Sequence, residues 1–312
     1  MGYGSYSIDA HRALTSARAS APREAIFEQR ECHPLMNPKG LRVRESRDSE
    51  THPRSLGIVF ALDVTGSMGG IPDQLARADL PELMGILTGV GVEDPQVLFM
   101  AVGDATCDRA PLQIGQFESE AELMDQWLTW SFLEGGGGGS NQESYELAMY
   151  LAARHTSMDC YEKRGRRGYF FMTGDENPYP VVARRQVEGL VGDELDDDVS
   201  VERIVDELSV SFEPFFLIPD ANRARRCGDR WRALLGDHVI QLAGPDDTCH
   251  VAAALVALGE GKLESVGAVA DRLRASGLSE RRVGGIVTAI TPFAETLPLA
   301  SPSATHRTER LH

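Results

Sequence analysis

Nothing in the 312 residues is long and apolar enough to suggest a spanning helix, which needs roughly 18–20 consecutive apolar residues. The opening MGYGSYSIDAHRALTSAR lacks the apolar centre of a secretory signal, and Tyr6 stands where a myristoylation signal places Ser or Thr. Cysteine is sparse and unpaired by pattern. Cys32, Cys107, Cys160, Cys227 and Cys249 are odd in number, widely spaced and without a Cys-x-x-Cys, which excludes a disulfide framework and a zinc ribbon. His33 beside Cys32, His155 near Cys160 and His250 beside Cys249 likewise lack the spacing of zinc ligands. Basic residues are outnumbered, 31 against 47 acidic ones, and the net charge of −16 makes nucleic acid an unsuitable partner. Together these absences lead us to expect a reduced, cytoplasmic protein with neither membrane nor nucleic acid as partner. A 42% hydrophobic, 25% charged composition is enough to bury a substantial core without cross-links.

Along the chain, residues 1–55 read as an N-terminal arm, polar at first, with a short helix near 23–30 and a candidate edge strand at 41–48. From residue 56 the pattern changes. Short continuous apolar runs at 56–62, 97–102, 168–173 and 214–218 suit strands buried on both faces. An alternating run at 112–117 suits the sheet edge, and a strand at 238–242 closes the series. Between them lie helical patterns at 71–90, 119–132 (opened by Ser119 and Glu122 as a capping box), 143–157, 180–190, 199–209 and 223–235. This alternation predicts an α/β fold: a Rossmann-like, doubly wound, mostly parallel sheet with helices on both faces, spanning residues 56–245. Further helices near 247–260, 263–275 and 279–290 form a helical C-terminal extension over 246–297. A Ser/Thr/Pro-bearing tail, 298–312, is expected to be disordered.

In such sheets, sites form at the carboxyl ends of the strands. Three strands here run into an aspartate: Asp63, Asp104 and Asp175. The first opens the string Asp63-Val64-Thr65-Gly66-Ser67-Met68, with an oxygen-bearing side chain at every second residue. In a tight strand-to-helix loop such residues turn toward one point. A carboxylate and two hydroxyls are the hard oxygen donors that Mg²⁺, Mn²⁺ or Ca²⁺ prefer. The same string also suits a capped turn without metal.

At these residues the chain resembles the von Willebrand factor A (VWA) family, over about residues 56–242. That family's metal-ion-dependent adhesion site (MIDAS) begins Asp-x-Ser/Thr-x-Ser after its first core strand, matched here by Asp63, Thr65 and Ser67. The resemblance implies two further ligands. One is a hydroxyl after a glycine-rich turn, for which Ser140 in GGGGGSNQES is the best match, with Asn141 and Glu143 as neighbours able to reach inward. The other is a strand-terminal aspartate, matched by Asp175 in MTGDE, with Asp104 supporting from a second position. It implies a Mg²⁺ site, with Mn²⁺ or Ca²⁺ as alternatives, that binds a carboxylate of a protein partner, with specificity from the rim loops 103–110, 134–142 and 175–180. Intracellular relatives of this kind often assist AAA+ ATPases or chelatase-like complexes, so a role as subunit of such a machine is the first alternative.

A metal-dependent phosphohydrolase is the second alternative, since the same oxygen cluster could activate water. No Ser/His/Asp or Cys/His arrangement supports catalysis, and an enzyme is not expected. The glycine run lacks the Gly-Lys-Ser/Thr ending of a phosphate-binding loop. Thr65 also stands where a haloacid-dehalogenase phosphatase carries its second Asp. Trp127, Trp130 and Phe132 are read as core. The basic clusters 163–167 and 223–226 are read as solvated faces, and 193–198 as an exposed acidic loop.

Overall fold

The computed structural model describes residues 6–66, 68, 70–135 and 141–298. Six strands form the central sheet: β1 Leu56–Asp63, β2 Pro95–Val102, β3 Leu112–Ile114, β4 Gly168–Thr173, β5 Phe212–Ile218 and β6 Val239–Gln241. Their order is β6-β5-β4-β1-β2-β3, parallel except for β3, which runs antiparallel to β2 at one edge. Read from the other edge this is 3-2-1-4-5-6, the doubly wound order whose topological switch point falls between β1 and β4. Every residue of β1, β2 and β4 is buried, as the unbroken apolar runs require of strands covered on both faces. Phe60 stacks on Phe171 at 5.3 Å, and Phe171 on Phe215 at 5.3 Å, so one line of rings crosses β1, β4 and β5.

Two helix layers cover the sheet. Leu80–Gly89 packs against Thr248–Gly259, and Tyr145–Arg154 packs against Val201–Ser211. Residues 248–258 are all buried, and Phe293 of the helix Glu280–Thr296 meets Phe215 edge-on at 4.9 Å, so the C-terminal helices close over the sheet. Among the described residues no helix is long and apolar enough to cross a membrane.

Several local expectations are corrected. The helix expected over 71–90 is broken into Gly70–Gln74, a π-helical turn Leu75–Asp79 and Leu80–Gly89. Pro81 has no N–H to continue the ladder, and the Leu80 N–H bonds five residues back to the Leu75 carbonyl. The capping box at Ser119 and Glu122 does not form. Glu118 exchanges both backbone hydrogen bonds with Val97, which holds the chain extended until the helix Ala121–Thr129 begins. The strand expected at 41–48 is only Arg44–Ser46. It pairs in parallel with Thr156–Met158, away from the central sheet. The N-terminal arm also contains an unexpected helix, Ile8–Ala17, which packs against Ala121–Thr129 and Leu80–Gly89. Trp127 and Trp130 are only half-buried, because the arm rather than the sheet covers them: the His33 ring stacks on Trp130 at 4.0 Å, while Phe132 is buried.

The helix Ala221–Leu235 is capped by Asp220, which accepts hydrogen bonds from the N–H groups of Asn222 (2.8 Å) and Arg223 (3.1 Å). Asp220→Ala is expected to lower unfolding stability by about 1 kcal/mol, measured by urea denaturation. An unchanged midpoint would show that solvent satisfies these groups equally well.

Candidate metal centre

β1 delivers Asp63 to the carboxyl edge of the sheet, where its side chain is wholly buried. Oδ1 accepts hydrogen bonds from the Thr65 N–H (2.9 Å) and the Thr65 hydroxyl (2.6 Å). Oδ2 accepts one from the Tyr145 hydroxyl (2.6 Å). Burial, partly offset by these bonds and reinforced by the Asp175 charge, pushes the Asp63 carboxyl up to about 6. Asp63 and Thr65 thus sit together in a hydrogen-bonded turn of the kind the same string allows without metal. Ser67 and Ser140 lie outside the described residues.

Asp175 stands two residues beyond the end of β4, after Gly174, and is 1% exposed. Its N–H donates to the Tyr145 hydroxyl oxygen (3.3 Å), so one tyrosine ties the ends of β1 and β4 together across the switch point. That ring passes against the backbone before Asp175: a Cβ on Gly174 would lie 2.3 Å from the Tyr145 hydroxyl. The Asp175 carboxylate is held from the other side by arginines. Arg226 Nη2 reaches Oδ2 at 3.1 Å, and Arg223 Nε reaches it at 3.4 Å. The expectation that 223–226 is a solvated face is therefore corrected at Arg223 and Arg226, because their helix starts beside the β4 loop.

Asp104, at the end of β2, is buried and organises its own turn. Burial opposes its charge, but hydrogen bonds from the Thr106 N–H (2.9 Å), the Thr106 hydroxyl (2.7 Å) and the Tyr179 hydroxyl (3.0 Å) outweigh it, and the carboxyl stays below its ordinary range. Asn141 is exposed, and its carbonyl accepts from the Asn177 N–H. Glu143 does not begin a helix as expected. Gln142–Glu143 pairs in parallel with Asn177–Pro178, which draws Glu143 inward to 5% exposure. Its Oε2 is buried with no hydrogen-bond partner among the described residues, and burial, followed by the charges of Asp63 and Asp104, pushes the carboxyl up to about 9. Glu146, wholly buried one turn on, is pushed well above the carboxylate range by burial. Its Oε2 accepts from the Tyr179 N–H (3.1 Å), while Oε1 has no partner among the described residues.

Sequence reasoning missed Tyr145, Glu146, Tyr179, Arg223 and Arg226. Tyr145 and Glu146 begin the helix after the glycine run, and that position was the available signal. The arginines left no signal, because their partners are distant in sequence. The Asp193–Asp198 run is exposed in part only: Asp193 accepts from the Tyr150 hydroxyl (2.5 Å) and pairs with His155 Nε2 (2.7 Å). The 163–167 cluster is neutralised locally, with Arg164 on Asp48 (2.7 Å), Arg166 on Glu260 and Arg167 on Glu213. Cys160, Cys227 and Cys249 are buried free thiols, Cys32 is half-buried and Cys107 is exposed. Among the described residues, no three His, Cys, Asp or Glu side chains stand as a set that could by themselves hold a metal ion.

The class defined by this arrangement is a doubly wound α/β fold with a carboxylate and hydroxyl cluster at its switch point. No family model and no curated protein matches the chain. Solved structures do. Proximal thread matrix protein 1 from the mussel byssus is similar at 9% identity over 71% of this chain and 49% of its own, with a TM-score of 0.43. The pilus adhesin SpaC from Lactobacillus rhamnosus GG is similar at 10% identity over 74% and 31%, with a TM-score of 0.44. A von Willebrand factor type A protein from Catenulispora acidiphila is similar at 12% identity over 66% and 43%, with a TM-score of 0.42. This chain spans about half, or less, of the solved chains it matches. A further structure of the mussel protein has a zinc-occupied MIDAS motif.

Proposed function

We propose that this protein is a divalent-cation-dependent protein-interaction module, with its site at the carboxyl ends of β1 and β4. The observation that carries the reading is Glu143. Its buried Oε2 has no hydrogen-bond partner among the described residues, and burial together with the charges of Asp63 and Asp104 pushes its carboxyl up to about 9, so ionising it in this pocket is unfavourable without a counter-charge. A buried anion of that kind is costly unless a cation or a proton joins it.

The donor chemistry fits a hard ion: carboxylates at Asp63 and Asp175, a hydroxyl at Thr65, and the hydroxyls of Ser67 and Ser140 from the adjoining loops. These residues would hold it, with Asp104, Asn141 and Glu143 around them. Mixed hydroxyl and carboxylate ligation favours Mg²⁺ over Mn²⁺ or Ca²⁺. When bound, the ion supplies a positive centre for a partner's carboxylate. The chain's own residues do the positioning. Tyr145 fixes Asp63 and the Asp175 backbone through one hydroxyl, and Asp104 shapes the rim loop through Thr106 and Tyr179. We read the site as binding rather than catalytic. The two histidines within the sheet domain are committed elsewhere, His155 to Asp193 and His238 to Glu213.

The test is thermal unfolding of the full chain in EDTA and with Mg²⁺, Mn²⁺ or Ca²⁺. An ion that binds only the folded state raises the melting temperature once its concentration exceeds the dissociation constant. We expect a rise of several degrees for wild type and none for Asp63→Ala. Indifference of the wild type to all three ions would end the metal-dependent reading.

A further inference from the structure

We propose that Arg223 and Arg226 form an internal cationic cover on Asp175, which a divalent ion must displace before it can use that carboxylate. The inference rests on the metal reading above and adds what sets the affinity of the site.

Both guanidinium groups converge on a single oxygen, Asp175 Oδ2, at 3.1 Å from Arg226 and 3.4 Å from Arg223, on a side chain that is otherwise sealed from water. Arg223 also reaches back across the site: its Nη1 lies 3.1 Å from Met68 Sδ, immediately after the Asp63–Ser67 string. Arg223 therefore touches both the Asp175 carboxylate and the residue that follows the Asp63 string. A divalent ion at Asp175 would stand against two fixed positive charges, and the repulsion at such separations is large where water is excluded.

Each arginine has a second acceptor within reach. Arg223 Nε is 3.4 Å from Asp220 Oδ2, and Arg226 Nη2 is 3.4 Å from Glu176 Oε1. Both can swing away without being left unpaired. The helix that carries them is fixed independently: the Trp231 indole stacks on Phe216 at 3.8 Å and donates to the Glu176 carbonyl at 2.9 Å. Release is thus a side-chain event. Arg226, whose side chain is half exposed, moves more easily than Arg223.

The test is Mn²⁺ binding to the full chain, read as loss of the free-ion electron paramagnetic resonance signal. The proteins are wild type, Arg223→Ala/Arg226→Ala, the single Arg226→Ala, and the double variant with Asp175→Asn added. Circular dichroism melts confirm folding, and the half-exposed single variant serves if the double one does not fold. We expect the double variant to bind about tenfold more tightly than wild type, the single variant to gain less, and Asp175→Asn to cancel the gain. Binding by the variants while wild type shows none would support the cover equally. Equal or weaker binding by both arginine variants overturns the cover and leaves the metal reading standing. Absence of binding in every protein overturns both.

Discussion

Without metal, Asp63→Asn is expected to be more stable than wild type at pH 8, and its advantage over wild type should grow by about 3 kcal/mol between about pH 4 and pH 8. Burial raises the Asp63 carboxyl to about 6. A carboxyl that holds its proton longer in the fold than in the unfolded chain stabilises the fold while protonated. That contribution is complete below the unfolded value near 4 and is lost as the pH rises through about 6. A shift of about two units corresponds to about 3 kcal/mol. His11 acts in the opposite sense over the same range. Burial lowers its ring to about 4, so its contribution is present above about 6.5 and is lost as the pH falls toward 4. The wild-type curve alone would mix these with other buried groups such as Asp79, which burial raises to about 7, whereas the difference between wild type and Asp63→Asn at each pH cancels the groups that do not sense Asp63, His11 among them. Urea denaturation at four or five pH values measures it. Saturating Mn²⁺ should then narrow or reverse the gap, since only wild type gains from the ion. A gap that stays constant from pH 4 to 8 would mean that the buried carboxyl does not change its charge over this range. Asp63 would then carry no burial strain for a cation to relieve.

What could be read from the chain before folding followed from local causes. Continuous apolar runs ending in aspartate specify strands buried on both faces and place the acids at one edge. The runs locate β1, β2, β4 and β5 to within two residues at each end, and Asp63, bonded to Thr65, shares the Tyr145 hydroxyl with the Asp175 backbone. What could not be read depends on encounters between distant segments. Glu143 reads as the start of a helix, but the pairing of 142–143 with 177–178 converts it into an inward strand residue. Arg223 and Arg226 read as solvated charges on a strongly basic helix, and only the β5-to-helix connection brings them to Asp175. Tyr145 has no role in the sequence reading beyond its place after the glycine run. Its role follows from the space that Gly174 leaves for it, a relation that neither segment shows alone.

That relation predicts the second large effect. Gly174→Ala is expected to lower unfolding stability by about 3 kcal/mol, the upper part of the range for overpacking a rigid core. The added Cβ would lie 2.3 Å from the Tyr145 hydroxyl, 2.5 Å from Cζ and 2.8 Å from Cε1, and the ring has no free direction in which to move. It is fully buried, packed edge-on against Phe216 at 5.4 Å and Trp231 at 5.6 Å. Relief must therefore come from shifting the hydroxyl off Asp63 or the β4 end off its register. Either movement separates the Asp63 carboxylate from the Asp175 backbone that Tyr145 links, so the melting-temperature response to Mg²⁺ or Mn²⁺ should fall together with the stability. A double-mutant cycle separates this cause from a general intolerance of Ala at 174. In a Tyr145→Ala background the ring is absent, and the cost of Gly174→Ala should drop below about 1 kcal/mol, a coupling of about 2 kcal/mol. Additive costs would show that the glycine answers to something other than the ring, and that the β1–β4 tie does not depend on their contact.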